Sequence, residues 1–145
     1  MTIALPATGK IFIDTNVFVY SADNDTPGKR DVARGLVSAL LDDRRGTVST
    51  QVLIESYNAF FKKLSISKSH ARTLTTTISR FEVIPTDVNL IDTAMVIHQT
   101  EPLSFWDALI LAAASAANCR TILTEDMSDG RMISGVRVVN PFGGR

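Results

Sequence analysis

Four acidic residues lie at positions where the surrounding pattern predicts buried or partly buried structure. Asp14 interrupts the apolar segment "KIFIDTNVFVY", Glu55 lies shortly after "TVST", Asp107 lies in "LSFWDALILAAASAA", and Asp126 follows "TILT". An ionised carboxylate at the end of a buried strand is costly unless a cation or several hydrogen-bond donors satisfy it. If the four acids meet, their mutual repulsion must be neutralised by protons or by a cation. Carboxylate ligands without His or Cys favour Mg²⁺, with Mn²⁺ as a substitute.

A divalent cation held by carboxylates is suited to phosphoryl chemistry, because it activates a water and stabilises charge on phosphate oxygens. Residues 29–80 contain ten Lys or Arg against four acids, whereas residues 81–129 contain eight acids and only Arg120. A basic region that holds a polyanion, next to an acidic region that holds a cation, would have this distribution. Solvated helix faces explain the charges alone at least as well. Together with the four acids, the pattern favours metal-dependent hydrolysis of phosphodiester bonds.

Each acid also has a structural explanation. Asp107 and Ser104 have the spacing of a capping box, and Glu55 near a helix N-terminus is favoured by the helix dipole. Asp14 could cap a following helical turn, with Asn16 as a second candidate. A cap accounts for a polar residue at position 14, but not for an ionised one at the end of a buried strand. The two histidines, His70 and His98, are predicted to be surface residues, so neither is a candidate ligand.

The elements that position these acids alternate between strands and helices. Strands are predicted at residues 10–14 and 46–50 and in "FEVIP", "TILT" and "VRVV". Helices are predicted at 17–22, 29–44, 51–64 and 69–80, from the cap Asp87 to His98 or Gln99, and from Ser104 to Asn118. This alternation predicts an α/β fold with a central, mostly parallel sheet covered by helices on both faces. Sites in such sheets lie beyond the carboxyl ends of the strands, where Asp14 and Asp126 are expected.

Length and composition indicate one globular domain over residues 1–145. The single cysteine, Cys119, excludes an intramolecular disulfide and a zinc site built from cysteines alone. The N-terminal segment does not resemble a secretory signal, and "ALILAAASAA" is too short to span a bilayer. We therefore expect a cytoplasmic protein without a membrane segment.

The motifs "FIDTNVFVY", "STQVLIESYNAF", "LSFWDALILAAA" and "ILTEDM", in this order, resemble the four acidic motifs of PIN-domain ribonucleases. The closing "VRVVNPF" is similar to the end of many VapC-type toxins. The resemblance covers nearly the whole chain and implies a PIN-like, three-layer α/β/α domain. It also implies an Mg²⁺-dependent endoribonuclease, the toxin of a type II toxin–antitoxin pair.

Carried over to this sequence, the resemblance implies that Asp14, Glu55, Asp107 and Asp126 hold the metal and carry out catalysis. Their expected supports are Asn16, which would orient Asp14, Thr124, which would lie near Asp126, and Ser104, which would cap the helix of Asp107. The sequence departs from the family after Asp126, because Met127 and Ser128 precede the next acid. Asp129 is therefore either an outer metal ligand or a turn residue.

Toxins of this family cut structured RNA, typically tRNA or ribosomal RNA, as homodimers that a cognate antitoxin restrains. The resemblance thus implies an RNA substrate, an antitoxin partner and a homodimer. One alternative from the same fold is a non-catalytic RNA-binding or protein-interaction module, against which the four intact acids argue. A haloacid dehalogenase-type phosphatase is disfavoured because Asn16 stands where that family has its second acid.

Overall fold

A six-stranded sheet forms the centre of the molecule. The structure is a computed structural model that describes residues 5–143. The strands are β1 (Ile11–Ile13), β2 (Gly46–Ser49), β3 (Glu82–Ile84), β4 (Thr121–Leu123), β5 (Met132–Ile133) and β6 (Val136–Val139), in the spatial order β3-β2-β1-β4-β6-β5. All neighbours are parallel except β5 and β6, which are antiparallel.

Six helices flank this sheet. They are α1 (Thr15–Ser21), α2 (Pro27–Asp42), α3 (Thr50–Lys62), α4 (Lys68–Ile78), α5 (Val88–Thr100) and α6 (Phe105–Ala116). Helix α1 packs on α2 and α3, α3 packs on α4, and α5 packs on α6. The mostly parallel sheet with its flanking helices confirms the predicted α/β/α fold class. None of the helices in the described part of the chain is long and apolar enough to cross a membrane.

The central strands are buried on both faces, as a parallel sheet covered by helices requires. All three residues of β1 are fully buried, and β2 and β4 are buried throughout. Helix α6 is unusually apolar, and its residues Ala108 to Ala114 are all buried. The core therefore runs continuously from the sheet into α6, which fixes the first turn of that helix near the carboxyl ends of the strands.

The register of β1 and β4 determines which residues follow the sheet side by side. Ile13 pairs with Leu123, so the next residues, Asp14 and Thr124, leave the sheet at the same level. The Asp14 amide continues the ladder by donating to the Leu123 carbonyl at 3.1 Å. Both residues therefore lie at the edge where sites form in open α/β sheets.

The structure differs from the sequence-based elements mainly at their ends. Strand β1 stops at Ile13, and α1 begins at Thr15 rather than near residue 17. Helix α2 begins at Pro27 rather than at residue 29. Proline fits the first turn of a helix, because the backbone N–H that it lacks would have no partner within the helix there. Strand β5 was not predicted, since two residues are too few for a periodic signal. Asp87 caps α5 as predicted, by accepting from the Leu90 amide at 2.9 Å.

Gly46 provides a test of how tightly the sheet is covered. A Cβ at Gly46 would lie 2.5 Å from two ring atoms of Phe81, which is buried, and 3.2 Å from Ile13. We expect Gly46→Ala to lower the free energy of unfolding by about 1–3 kcal/mol, because the ring has to move within a packed core. The measurement is urea denaturation.

Gly35 in α2 is the matched control, because a Cβ there meets no atom within 4 Å. Gly35→Ala should raise the free energy of unfolding by up to about 1 kcal/mol through helix propensity. Equal effects of the two alanines would contradict the packing described for Gly46.

Candidate active site

A cavity of about 340 Å³ opens beyond the carboxyl ends of β1 and β4. Six acids of the described residues line it, among them four from separate segments: Asp14, Glu55, Asp107 and Asp126. Asn16 lines the same cavity, whereas Thr124, Ser104 and Asp129 are not among its lining residues. The structure thus brings together the four acids that the sequence singles out, although they are as far as 112 positions apart in the chain.

Asp14 is the most buried of these acids, with 3% of its surface exposed. Its Oδ1 accepts from the Thr15 amide at 2.7 Å, which caps α1, and its Oδ2 accepts from the Thr124 hydroxyl at 2.8 Å. Burial raises the pKa of Asp14 from 3.8 to about 7. The bonds from Thr124 and Thr15 lower this pKa, while the charges of Asp126 and Glu55 raise it further. Asp14 is therefore a carboxylate whose charge the protein itself does not fully compensate.

Asp126 is held by neutral donors and acceptors rather than by a cation. The Asn16 Nδ2 donates to Asp126 Oδ2 and to Thr124 Oγ1, each at 3.1 Å. The Asp126 amide also donates to Thr124 Oγ1 at 3.1 Å. Asn16 thus contacts Asp126 directly, and its connection to Asp14, the residue it was expected to orient, passes through Thr124.

Glu55 lies in the second turn of α3, and Asp107 lies in the first turn of α6. The Thr15 hydroxyl donates to Glu55 Oε1 at 2.9 Å, and Gln51 Nε2 donates to Glu55 Oε2 at 3.2 Å. The same Gln51 nitrogen donates to the Trp106 carbonyl at 3.2 Å, which joins α3 to the start of α6. Ser104 Oγ accepts from the Asp107 amide at 3.1 Å, so that α6 begins at a fixed point.

The pKa of Asp107 is raised chiefly by burial and then by the charge of Asp126. A hydrogen bond with Ser104 lowers it, and the charge of Glu55 raises it again. Mutual repulsion of the carboxylates thus acts on both Asp14 and Asp107. Both would ionise more readily if a cation entered the cavity.

The remaining candidates lie apart from the cavity. Asp129 Oδ1 accepts from the Asn140 amide at 2.9 Å, which favours the turn-residue interpretation of this acid over the ligand interpretation. His70 and His98 are exposed, as the sequence predicts. Neither histidine is among the residues that line the acidic cavity.

Several lining residues were missed by sequence reasoning. Gln51 lies four positions before Glu55, so helical spacing could have shown that they neighbour each other. Tyr20 and Glu125 line one side of the cavity, where Lys29 contacts both: its Nζ lies 3.1 Å from Glu125 Oε2 and 3.2 Å from the Tyr20 hydroxyl. Lys63 also lines the cavity. Nothing in the local sequence signals the Tyr20–Glu125–Lys29 group, because it depends on how β4 and α1 pack together.

The donor set fits a hard divalent cation, because the cavity offers carboxylate oxygens and no His or Cys. Within residues 5–143, no three His, Cys, Asp or Glu side chains are grouped closely enough to form a ready-made metal cage. The carboxylates instead surround a cavity, so an ion held by one or two of them would keep several waters. Mg²⁺ is commonly bound in proteins in this way.

A model of the PIN domain family matches residues 11–128. This match spans most of the chain and includes all four acids, and the protein therefore belongs to the PIN domain family. No curated protein sequence matches the chain.

Solved structures with a similar fold come from toxin–antitoxin systems. The chain matches a toxin–antitoxin complex from Klebsiella pneumoniae with a TM-score of 0.67 and 22% identity, over 91% of this chain and 98% of that chain. It matches DNA-bound VapBC from Salmonella typhimurium with a TM-score of 0.65 and 19% identity, over 90% and 97% of the two chains. It matches VapC20 of Mycobacterium tuberculosis, a toxin that cleaves the sarcin–ricin loop, with a TM-score of 0.59 and 18% identity, over 78% of this chain and 87% of that chain. At these identities the similarity establishes the fold.

The burial of Asp14 predicts an unusual dependence of stability on pH in the presence of a chelator. The folded protein keeps the Asp14 proton up to about pH 7, whereas the unfolded chain loses it near 3.8. The contribution of Asp14 to the free energy of unfolding is therefore greatest below pH 3.8 and is lost as the pH rises through about 7. Asp14→Asn has no such proton, so the wild type should lose on the order of 4 kcal/mol relative to the variant across this range.

Urea denaturation of both proteins at a series of pH values measures this difference. At pH 8 the variant should be the more stable of the two. Parallel pH curves for wild type and Asp14→Asn would show that Asp14 does not carry the buried, uncompensated charge described above.

Proposed function

We propose that this protein is a metal-dependent endoribonuclease that hydrolyses RNA phosphodiester bonds. The observation that carries the proposal is the meeting of four carboxylates, Asp14, Glu55, Asp107 and Asp126, around one cavity of a PIN domain. In that cavity burial and like charge raise the pKa of Asp14 and Asp107. Charge that is left uncompensated in this way favours the binding of a cation.

In this proposal the four acids together hold Mg²⁺, or Mn²⁺ as a substitute, one or two of them as direct ligands and the others through waters of the ion. When bound, the ion would supply an activated water and stabilise the charge that develops on the phosphate oxygens. Thr124 and the Thr15 amide fix both oxygens of Asp14, so that this carboxylate is oriented before any ion arrives. Because these donors are neutral, they orient Asp14 without supplying the positive charge that the site lacks.

Asn16 and Gln51 orient Asp126 and Glu55 in the same way. Asn16 restrains Asp126 and, through the Glu125 amide, the turn that carries it. Gln51 restrains Glu55 and links it to the helix that presents Asp107. Partners of this kind typically contribute 10- to 100-fold to metal affinity or activity.

We further propose that the protein is the toxin of a toxin–antitoxin pair and is held inactive by a cognate antitoxin protein. Support comes from the structural neighbours, which are described as a toxin–antitoxin complex, as VapBC and as a toxin that cleaves the sarcin–ricin loop. A cytoplasmic location is proposed with it, in keeping with a single cysteine, Cys119, that is free and buried.

A homodimer is part of this proposal. Helix α5 exposes several large apolar side chains on its surface. Their exposed fractions are 81% for Val88, 37% for Ile91, 47% for Met95 and 55% for Val96. An apolar surface of this kind is typical of an interface, and it supports association through α5.

The activity is tested with the purified protein and total bacterial RNA. We expect cleavage with Mg²⁺ or Mn²⁺ and none with excess chelator. Asp14→Asn and Asp107→Asn should each lower the rate by more than the roughly 100-fold seen when an outer partner of a metal site is lost. Thr124→Val should lower the rate by about 10- to 100-fold, because it removes a hydroxyl that bonds Asp14, Asn16 and the Asp126 amide but leaves all four carboxylates in place.

Asp43→Asn is the matched control, since Asp43 is an exposed acid at the end of α2 outside the cavity, and it should cleave like the wild type. Sequencing of RNA ends after controlled expression of wild type and Asp14→Asn in a bacterial host identifies the cut sites. Identical end patterns in the two strains would refute the catalytic assignment. A folded wild type that binds neither metal by calorimetry would favour the non-catalytic interaction module instead.

A further inference from the structure

The cavity side of α3 carries a row of residues with different chemistry. Gln51, Glu55, Ala59 and Lys63 follow one another at intervals of four, and all four line the acidic cavity. Lys63 directly follows α3 as its C-cap residue and keeps helical backbone angles, with its amide donating to the Ala59 carbonyl at 2.8 Å. The spacing of the row therefore extends to Lys63 without a break.

Lys63 is the one Lys or Arg among the described residues that line this cavity. The six acids that line it are Asp14, Asp23, Glu55, Asp107, Glu125 and Asp126. The other nearby lysine, Lys29, is paired with Glu125. Within residues 5–143, Lys63 forms no ion pair and no side-chain hydrogen bond. An exposed ammonium group thus stands unpaired at the end of a row that begins beside the carboxylates.

A lysine at the end of a helix has an ordinary explanation, because the helix dipole favours a positive charge there. Lys62 shares that explanation fully, since it lies in the last turn of the same helix and is also exposed. Lys62, however, does not line the cavity. The two neighbouring lysines therefore differ in their access to a bound substrate and not in their relation to the helix dipole.

We propose that Lys63 binds a backbone phosphate that flanks the phosphate being cleaved, so that the RNA strand lies along α3. This inference rests on the proposed nuclease function. Eight residues of helix place the Cα of Lys63 about 12 Å along the axis from the Cα of Glu55, a separation that suits contact with a neighbouring phosphate of the strand. The small side chain of Ala59 lies between them and leaves space for the strand.

A contact between Lys63 and a phosphate would offset the repulsion between the RNA and the acidic cavity. A polyanion that approaches a cavity lined by six acids is repelled, and a bound cation offsets this only at the reacting phosphate. Lys63 supplies positive charge at the neighbouring phosphate, where none of the other cavity-lining residues in the described chain does so. A lysine that contacts phosphate recognises the backbone and not the base, so its effect should be the same for all RNA sequences.

The test uses a short single-stranded RNA that the wild type cleaves, at several salt concentrations. Lys63→Ala should raise KM by about 10-fold with little change in kcat, and it should make the negative slope of log affinity against log salt shallower by about 0.7. Lys63→Arg should restore most of the affinity, because the positive charge is kept. Lys62→Ala is the matched control and should behave like the wild type.

Neutral methylphosphonates, placed one at a time in the RNA, then identify the phosphate involved. At one flanking position the replacement should weaken binding to the wild type and to Lys62→Ala, but not to Lys63→Ala. A cleaving wild type in which Lys63→Ala and Lys62→Ala have the same KM and the same methylphosphonate pattern would overturn the inference and leave the nuclease function standing. A wild type that neither binds nor cleaves RNA would overturn both.

Discussion

The site depends on the fold holding several carboxylates close together at the end of the sheet, against their mutual repulsion. The core of β1, β4 and α6 fixes the backbone positions from which the carboxylates extend, and those positions hold the charges near one another against their repulsion. The energy for this comes from apolar burial, since Ile11, Phe12 and Ile13 are fully buried directly before Asp14. The packed sheet therefore stabilises an arrangement that would be unfavourable on a flexible loop.

The groups that orient the acids are themselves uncharged. Threonine, asparagine and glutamine side chains, together with backbone amides, hold Asp14, Glu55 and Asp126. Charged partners would have oriented the acids equally well, but they would also have neutralised them. Lys29 illustrates this difference, because it pairs with Glu125 and so removes that acid from competition for a cation. Orientation and charge compensation are thus separated in this site.

The parts of the structure that follow from strand and helix pattern could be predicted from the sequence. Parallel strands end at one edge, so an acid after β1 and another after β4 had to lie near each other. Helices α3 and α6 add their acids from their N-terminal halves. The contacts among the polar groups could not be predicted in the same way. Asn16 bonds Asp126 and Thr124 because of its side-chain conformation in the first turn of α1, which local sequence does not encode. The role of Lys63 likewise depends on helical backbone geometry continuing from α3 into its C-cap residue.

Trp106 gives the site a physical property beyond its chemistry. It is the sole tryptophan of the chain, it lines the acidic cavity next to Asp107, and 62% of its surface is exposed. All of the tryptophan fluorescence of the protein therefore originates at the edge of the cavity. Tryptophan emission from an unlabelled sample should respond to an ion, a nucleotide or a partner protein that enters or covers this region, because no second tryptophan contributes to it.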